Sequence, residues 1–126
     1  PAALLDEGRT ERAAAGTRLH EALARGEVPG DLPPAFRPFF ELPAGARAES
    51  EKEIADADGQ MHRIDRLIHQ PDCSLDVVDF KTGEGHPESD RKQVREYREL
   101  LRLILPGREI RCHLLYWDLG VAEEVP

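Results

Sequence analysis

The chain has 126 residues, 40% hydrophobic and 33% charged, enough for one domain with a real core and too few for two. No apolar run approaches a membrane span and no signal-peptide pattern opens the chain, so neither a membrane partner nor secretion is expected. The formal net charge of −8 argues against a free-standing nucleic-acid binder.

The two cysteines, Cys73 and Cys112, form no CxxC motif, so no disulfide framework, zinc site or iron–sulfur cluster is indicated, and a reducing compartment, the cytoplasm, is expected. The start at Pro1 without a methionine points to a piece of a longer protein. Residues 6–26 predict a helix, with Asp6 or Thr10 as caps and Ala13, Ala14, Leu19, Ala22 and Leu23 along it. Gly16 and His20 share a face with Leu23. A glycine inside a helix costs about 1 kcal/mol relative to alanine, a cost that close approach to another element would offset, with His20 beside the contact. By itself His20 reads as a lone histidine at a helix surface. Residues 28–48 hold five prolines and Phe36, Phe39 and Phe40, an irregular connection pinned to the core by its aromatics.

Asp58-Gly59 signals a hairpin between a strand ending near Ala57 and one running from Met61 to His69. With a two-residue turn, Glu53 faces Ile64 and Glu51 faces Arg66. Only an odd loop or a bulge brings either acid to the face of Asp65. The turn-rich Gln70-Pro71-Asp72-Cys73-Ser74 leads to the strand Val77 to Phe80, which ends at Thr82-Gly83. A hairpin symmetric about Asp72 sets Asp65 directly opposite Asp79, and alternation puts Lys81 on the same face. Two opposed carboxylates repel unless a positive charge lies between them, and a divalent metal is the usual answer. A lysine beside it could orient or deprotonate a water, or stabilise charge on a phosphate. The plain alternative is two solvated strand-end aspartates and a surface lysine. Apolar neighbours on both faces of these strands weigh against that, because they imply a central, covered pair.

Gly83 to Asp90 is a polar loop, and Ser89 or Asp90 caps a helix running to about Leu105, where Pro106-Gly107 stops it. Val94, Tyr97, Leu101 and Ile104 form its apolar stripe, and Gln93 lies one turn before Tyr97. Residues 91–111 carry seven Lys/Arg against three acids, a local +4 that leaves −12 for the remainder. Such a segment fits a phosphate-binding edge, and it fits a solvated helix face as well. Ile110 to Trp117 predicts a final strand continuing to the chain end. The order of elements predicts an α/β or α+β sandwich around a mixed sheet.

Taken in order, these segments resemble the PD-(D/E)XK nuclease superfamily, in particular the RecB-type nuclease domains of bacterial helicase–nucleases. Gly16-Thr17-Arg18-Leu19-His20 is similar to the family's helical G-x-x-x-H, and Gly59 to Arg66 resembles the strand ending G-x-I-D-R. Val77 to Gly83 is close to VVDYKTG, and Gln93 to Tyr97 matches Q-x-x-x-Y. The resemblance implies a restriction-endonuclease-like core over the single domain 1–126. It implies His20, Asp65, Asp79 and the Phe80 carbonyl as ligands of Mg²⁺ or Mn²⁺, and Lys81 as the catalytic lysine. Gln93 and Tyr97 would line the substrate channel, with Arg91, Lys92, Arg95 and Arg98 along the DNA backbone. Glu51 resembles the acid before the second strand. The chain departs from larger members in the 30 residues between His20 and Glu51, where they carry long insertions, and in lacking iron–sulfur cysteines.

The expected activity is metal-dependent, sequence-nonspecific hydrolysis of DNA, single-stranded or at duplex ends, in a module joined to helicase domains and serving repair or recombination. No base-reading motif is visible. The competing expectation is an inert RecB-like module that binds DNA or a partner subunit.

Overall fold

The structure, a computed structural model, describes residues 21–22, 27, 30–83 and 85–126. Glu21 and Ala22 are helical; the rest of the predicted 6–26 helix, including Gly16 and His20, lies outside the described residues. Pro34–Phe39 forms a short 3-10 helix that places Phe36 at 0% exposure and Phe40 at 8%. Its prolines fix φ and withhold backbone donors, which suits a single tight turn better than an α-helix.

Among the described residues five strands form one sheet: β1 (Arg47–Ala55), β2 (Met61–His69), β3 (Leu75–Lys81), β4 (Ile110–Tyr116) and β5 (Val121–Val125). They lie in the order β1-β2-β3-β4-β5, antiparallel except for the parallel pair β3 and β4. A parallel pair needs a crossover, and helix α1 (Pro87–Ile104) supplies it. The result is an α/β fold with a mixed sheet. None of the described helices is long and apolar enough to cross a membrane.

The two sheet faces have different covers. On one, Val94, Tyr97 and Leu101 of α1 pack on Leu75, Val77, Cys112 and Leu114. On the other, Phe36 and Phe40 pack on Ile68, Val78, Phe80 and Leu115. Truncating Phe36 to alanine would cost about 3–5 kcal/mol, since it anchors the second cover alone at zero exposure. β3 lies in the middle, buried at every position except Lys81. Such a strand is ordinarily a continuous apolar run, and this one is interrupted by Asp76 and Asp79.

The β2–β3 ladder runs from Arg66 opposite Val78 to His69 opposite Leu75, the register of a hairpin symmetric about Asp72. Its turn closes through Gln70 N–H to the Ser74 carbonyl, with the Asp72 carboxylate accepting from Ser74 N and Oγ. Continued by one pair, that register sets Asp65 against Asp79.

The β1–β2 connection differs from a two-residue turn. Ala55 pairs with Met61, so five residues, 56–60, form the loop, and Asp56 organises it by accepting the N–H groups of Asp58 and Gln60. The odd loop length shifts the parity: Glu53 stands opposite Arg63. Glu51 therefore falls at the position opposite Asp65, between the pairs Ser50–Arg66 and Lys52–Ile64. That one pair drops out of the ladder, and Glu51 has a left-handed φ of 51°. A non-glycine residue there costs on the order of 1–2 kcal/mol. The alternation of β2 slips at the same place. His62 and Leu67, an odd number of residues apart, both belong to the α1 side, through Tyr97 and the α1-side core.

Two further expectations are corrected. Helix α1 starts at Pro87, a residue pre-set for the first helical position, rather than after Ser89 or Asp90; Asp90 instead reaches back to accept the His86 N–H at 2.9 Å. The last strand does not run to the chain end. It breaks at the 3-10 turn Trp117–Leu119, Gly120 takes a left-handed φ of 63°, and the chain returns as β5.

Candidate active site

Asp65, Asp79 and Lys81 meet under the N-terminal half of α1, at the C-terminal end of β3. Each arrives for a separate reason. Asp79 and Lys81 share a face because they are two apart on β3. Asp65 comes from the neighbouring strand through the Asp72-centred register. Gln93 and Tyr97, one helical turn apart on α1, descend onto the same place. Together they wall a cleft of about 430 Å³, which His62 and Arg63 also line.

The contacts are specific. Lys81 Nζ donates to Gln93 Oε1 at 2.9 Å, lies 2.8 Å from Asp79 Oδ2 and 3.7 Å from Asp90 Oδ1. Asp65 Oδ2 accepts the Phe80 N–H at 2.8 Å. Asp79 Oδ2 is buried, and its neighbours are the Lys81 ammonium at 2.8 Å and the Asp65 carboxyl.

The electrostatics follow from burial. Asp79 is 4% exposed, and desolvation together with the Asp65 carboxyl beside it pushes its pKa up to about 7, against the pull of Lys81. A pair of carboxyls so placed holds a proton, or a cation, near neutral pH. Burial draws the Lys81 ammonium down, but Asp79, Asp90 and Asp65 more than offset it, and its pKa ends above the ordinary value. In this arrangement Lys81 is a fixed cation, suited to stabilising negative charge and orienting a water rather than to removing a proton. Burial, then Asp79 and Asp65, push the Tyr97 phenol up to about 12, so it stays a neutral donor.

Of the sequence-derived candidates, Asp65, Asp79, Lys81, Gln93 and Tyr97 come together. Phe80 contributes its N–H to Asp65, while its ring stacks on Phe40 across the sheet. Glu51 occupies the β1 position facing Asp65. His20 lies outside the described residues. Among the described residues no three His, Cys, Asp or Glu side chains gather as a metal-binding group.

The basic helix face is arranged differently from a continuous phosphate track. Arg91 pairs with Glu123, Arg95 donates to the Pro126 carbonyl and Arg98 to the Val125 carbonyl, so all three clamp the β5 segment. Lys92 borders two grooves along the helix. Arg111 leaves the basic group altogether to pair with Asp76.

Two contributors escaped the sequence reading. Asp90, 7% exposed, holds Lys81 from the far side, accepts from His86 N and takes the Tyr116 hydroxyl at 3.3 Å. Gly85 allows this, because a Cβ there would stand 2.8 Å from Tyr116 Cε1, and its φ is 71°. The other is the pair Asp56–His62, whose turn-forming Asp56 precedes Asp58-Gly59 and was legible as an Asx signal. Searched against protein-family models and against curated protein sequences, the chain matches none.

Proposed function

We propose that the chain is a divalent-metal-dependent, sequence-nonspecific DNA nuclease domain of the RecB type, built on a restriction-endonuclease-like core, as its motifs resemble. The observation that carries this reading is a buried carboxyl, Asp79, pressed beside a second carboxyl, Asp65, in one cleft with a charged lysine 2.8 Å from Asp79 Oδ2. Two carboxyls pressed together in this way favour a cation between them. The donor set fits the hard ions Mg²⁺ or Mn²⁺, which favour oxygen ligands. Asp65 and Asp79 would hold the ion, with the Phe80 carbonyl as the further protein ligand that the resemblance implies.

The ion would supply Lewis-acid polarisation of the scissile phosphate and neutralise the paired carboxylates. The chain's own residues do the rest. Gln93 fixes Lys81 by its 2.9 Å hydrogen bond, so the ammonium is held where charge develops on the phosphoryl oxygens. Tyr97 offers a neutral hydroxyl at the cleft wall, and α1 shields the site from bulk water on one side. Lys92, exposed on the helix, is a cation available to a DNA backbone, and the chain would be joined to helicase domains.

Calorimetry with Mn²⁺ and a gel-based nuclease assay on Asp79→Ala and Lys81→Ala test the reading. Asp79→Ala is expected to lose Mn²⁺ binding and cleavage together, and Lys81→Ala to keep binding while cleavage collapses. Wild-type protein that binds Mn²⁺ and DNA without cutting would establish the inert binding module instead.

A further inference from the structure

We propose that His62, held by Asp56, donates the proton to the leaving oxygen when a phosphodiester is cleaved in this cleft; the inference rests on the nuclease reading above. The two residues face each other across the five-residue β1–β2 turn. Asp56 is immobilised by three donors: Oδ1 accepts Asp58 N at 2.9 Å and Gln60 N at 3.0 Å, and Oδ2 lies 2.8 Å from His62 Nε2. A carboxylate anchored in this way fixes the tautomer of its imidazole, with the proton of Nε2 directed to Asp56 and Nδ1 left for chemistry.

The ring is placed as well as oriented. His62 meets Tyr97 edge-on, centroids 6.4 Å apart and planes at 79°, at the wall of the cleft that contains Asp65, Asp79 and Lys81. Its side chain is 26% exposed and that of Asp56 20%, so the pair reaches solvent and can be reprotonated between turnovers.

The other groups at the cleft leave this role open. Lys81 is held by Asp79 Oδ2 at 2.8 Å and by Gln93 Oε1 at 2.9 Å, and the Asp65–Asp79 carboxyls are committed to the cation in the proposed chemistry. Imidazole is the side chain most often used as a general acid.

The step balances as follows. Water oxygen bonds to phosphorus as the bond from phosphorus to the leaving oxygen breaks with its electron pair. His62 Nδ1 transfers a proton to that oxygen, the proton lost by the water passes to solvent, and solvent reprotonates Nδ1. Asp56 touches no substrate and is a positioning residue.

The test compares two substrates that differ in their need for that proton, using the 126-residue chain with Mn²⁺. One is single-stranded DNA; the other is a thymidine p-nitrophenyl phosphodiester, whose p-nitrophenolate departs without protonation. His62→Gln keeps a donor for Asp56. It is expected to cleave DNA roughly a hundredfold more slowly, the usual scale for general acid catalysis, and to hydrolyse the activated ester close to the wild-type rate. Asp56→Asn is expected to show the same selective loss, smaller in size. Thermal unfolding of both variants checks that the turn is intact. Equal losses on the two substrates, or no loss on DNA, overturn the inference while leaving the nuclease reading in place. A wild-type chain that hydrolyses neither substrate overturns the nuclease reading, and the inference falls with it.

Discussion

β3 carries two buried aspartates three residues apart, and they have opposite environments. Asp76, 5% exposed, faces the Phe36 side of the sheet, where Arg111 donates to both its oxygens, His113 Nε2 lies 2.7 Å from Oδ1 and Gln70 donates to Oδ2. Burial alone would raise its pKa, but His113, Arg111 and Gln70 outweigh that and hold it well below the usual carboxylate range. Asp79, 4% exposed on the α1 side, has one lysine and a neighbouring carboxyl, and burial and that carboxyl raise its pKa. Equal burial thus produces opposite shifts. A carboxylate surrounded by donors is held ionised; one pressed against a second carboxyl is held towards its protonated form.

The largest effect that would break this contrast concerns chemistry. Lys81→Ala should lower DNA cleavage by about a hundredfold or more, some 2.7 kcal/mol of transition-state stabilisation, with Mn²⁺ binding retained, as read in the paired gel and calorimetric assays. Asp76→Asn, by contrast, should leave both readouts near wild type. If the two exchange behaviours, the site lies on the wrong face of the sheet.

Stability should move the other way. Asp76→Ala leaves the buried His113 without its acceptor and Arg111 with only Ser74 and Glu109, and should cost about 3 kcal/mol in denaturant unfolding, the lower end for a broken buried pair because Arg111 is partly exposed. Asp79→Asn relieves a like-charge contact and should raise stability at pH 8.

The pH dependence sharpens the comparison. The folded-state pKa of Asp76 lies below its ordinary value of 3.8, so its contribution is present above pH 3.8 and is lost as pH falls through the folded value. For Asp79 the folded value near 7 lies above 3.8, so its contribution is present below pH 3.8 and is lost as pH rises through 7. Thermal melts from pH 3 to 8 should show a wild-type decline between pH 4 and 7, on the order of 2 kcal/mol, that Asp79→Asn removes. Asp76→Asn should flatten only the acid limb. A wild-type curve flat above pH 4 would mean that the Asp65–Asp79 pair is not coupled as described.

The smallest expected effect concerns the helix. Lys92→Ala should reduce the salt slope of DNA binding by about 1, the signature of one phosphate contact. Arg98→Ala should leave the slope unchanged and cost about 1 kcal/mol of stability, since its hydrogen bond goes to the Val125 carbonyl. Filter binding across a salt series reads both.

The sequence by itself determined what depends on local spacing. The two-residue period put Asp79 with Lys81, turn symmetry about Asp72 put Asp65 across from them, and the helical period put Gln93 beneath Tyr97; all are short-range consequences of backbone geometry. The aromatic connection before β1 was legible too, since three phenylalanines among prolines have nowhere to go but a core. Tertiary structure decided what depends on parity and on partners distant in the chain. Asp58-Gly59 reads as a two-residue turn, yet Asp56 captures two backbone donors and makes it five residues, and that one odd number moves Glu51 to the position facing Asp65. The arginines of α1 look alike in sequence, but the return of the chain as β5 supplies acceptors for three of them and leaves Lys92 beside the grooves. Asp76 and Asp79 look alike as well. Only the parallel addition of β4, which brings Arg111 and His113 to one face of β3, gives one aspartate its partners and leaves the other to the site.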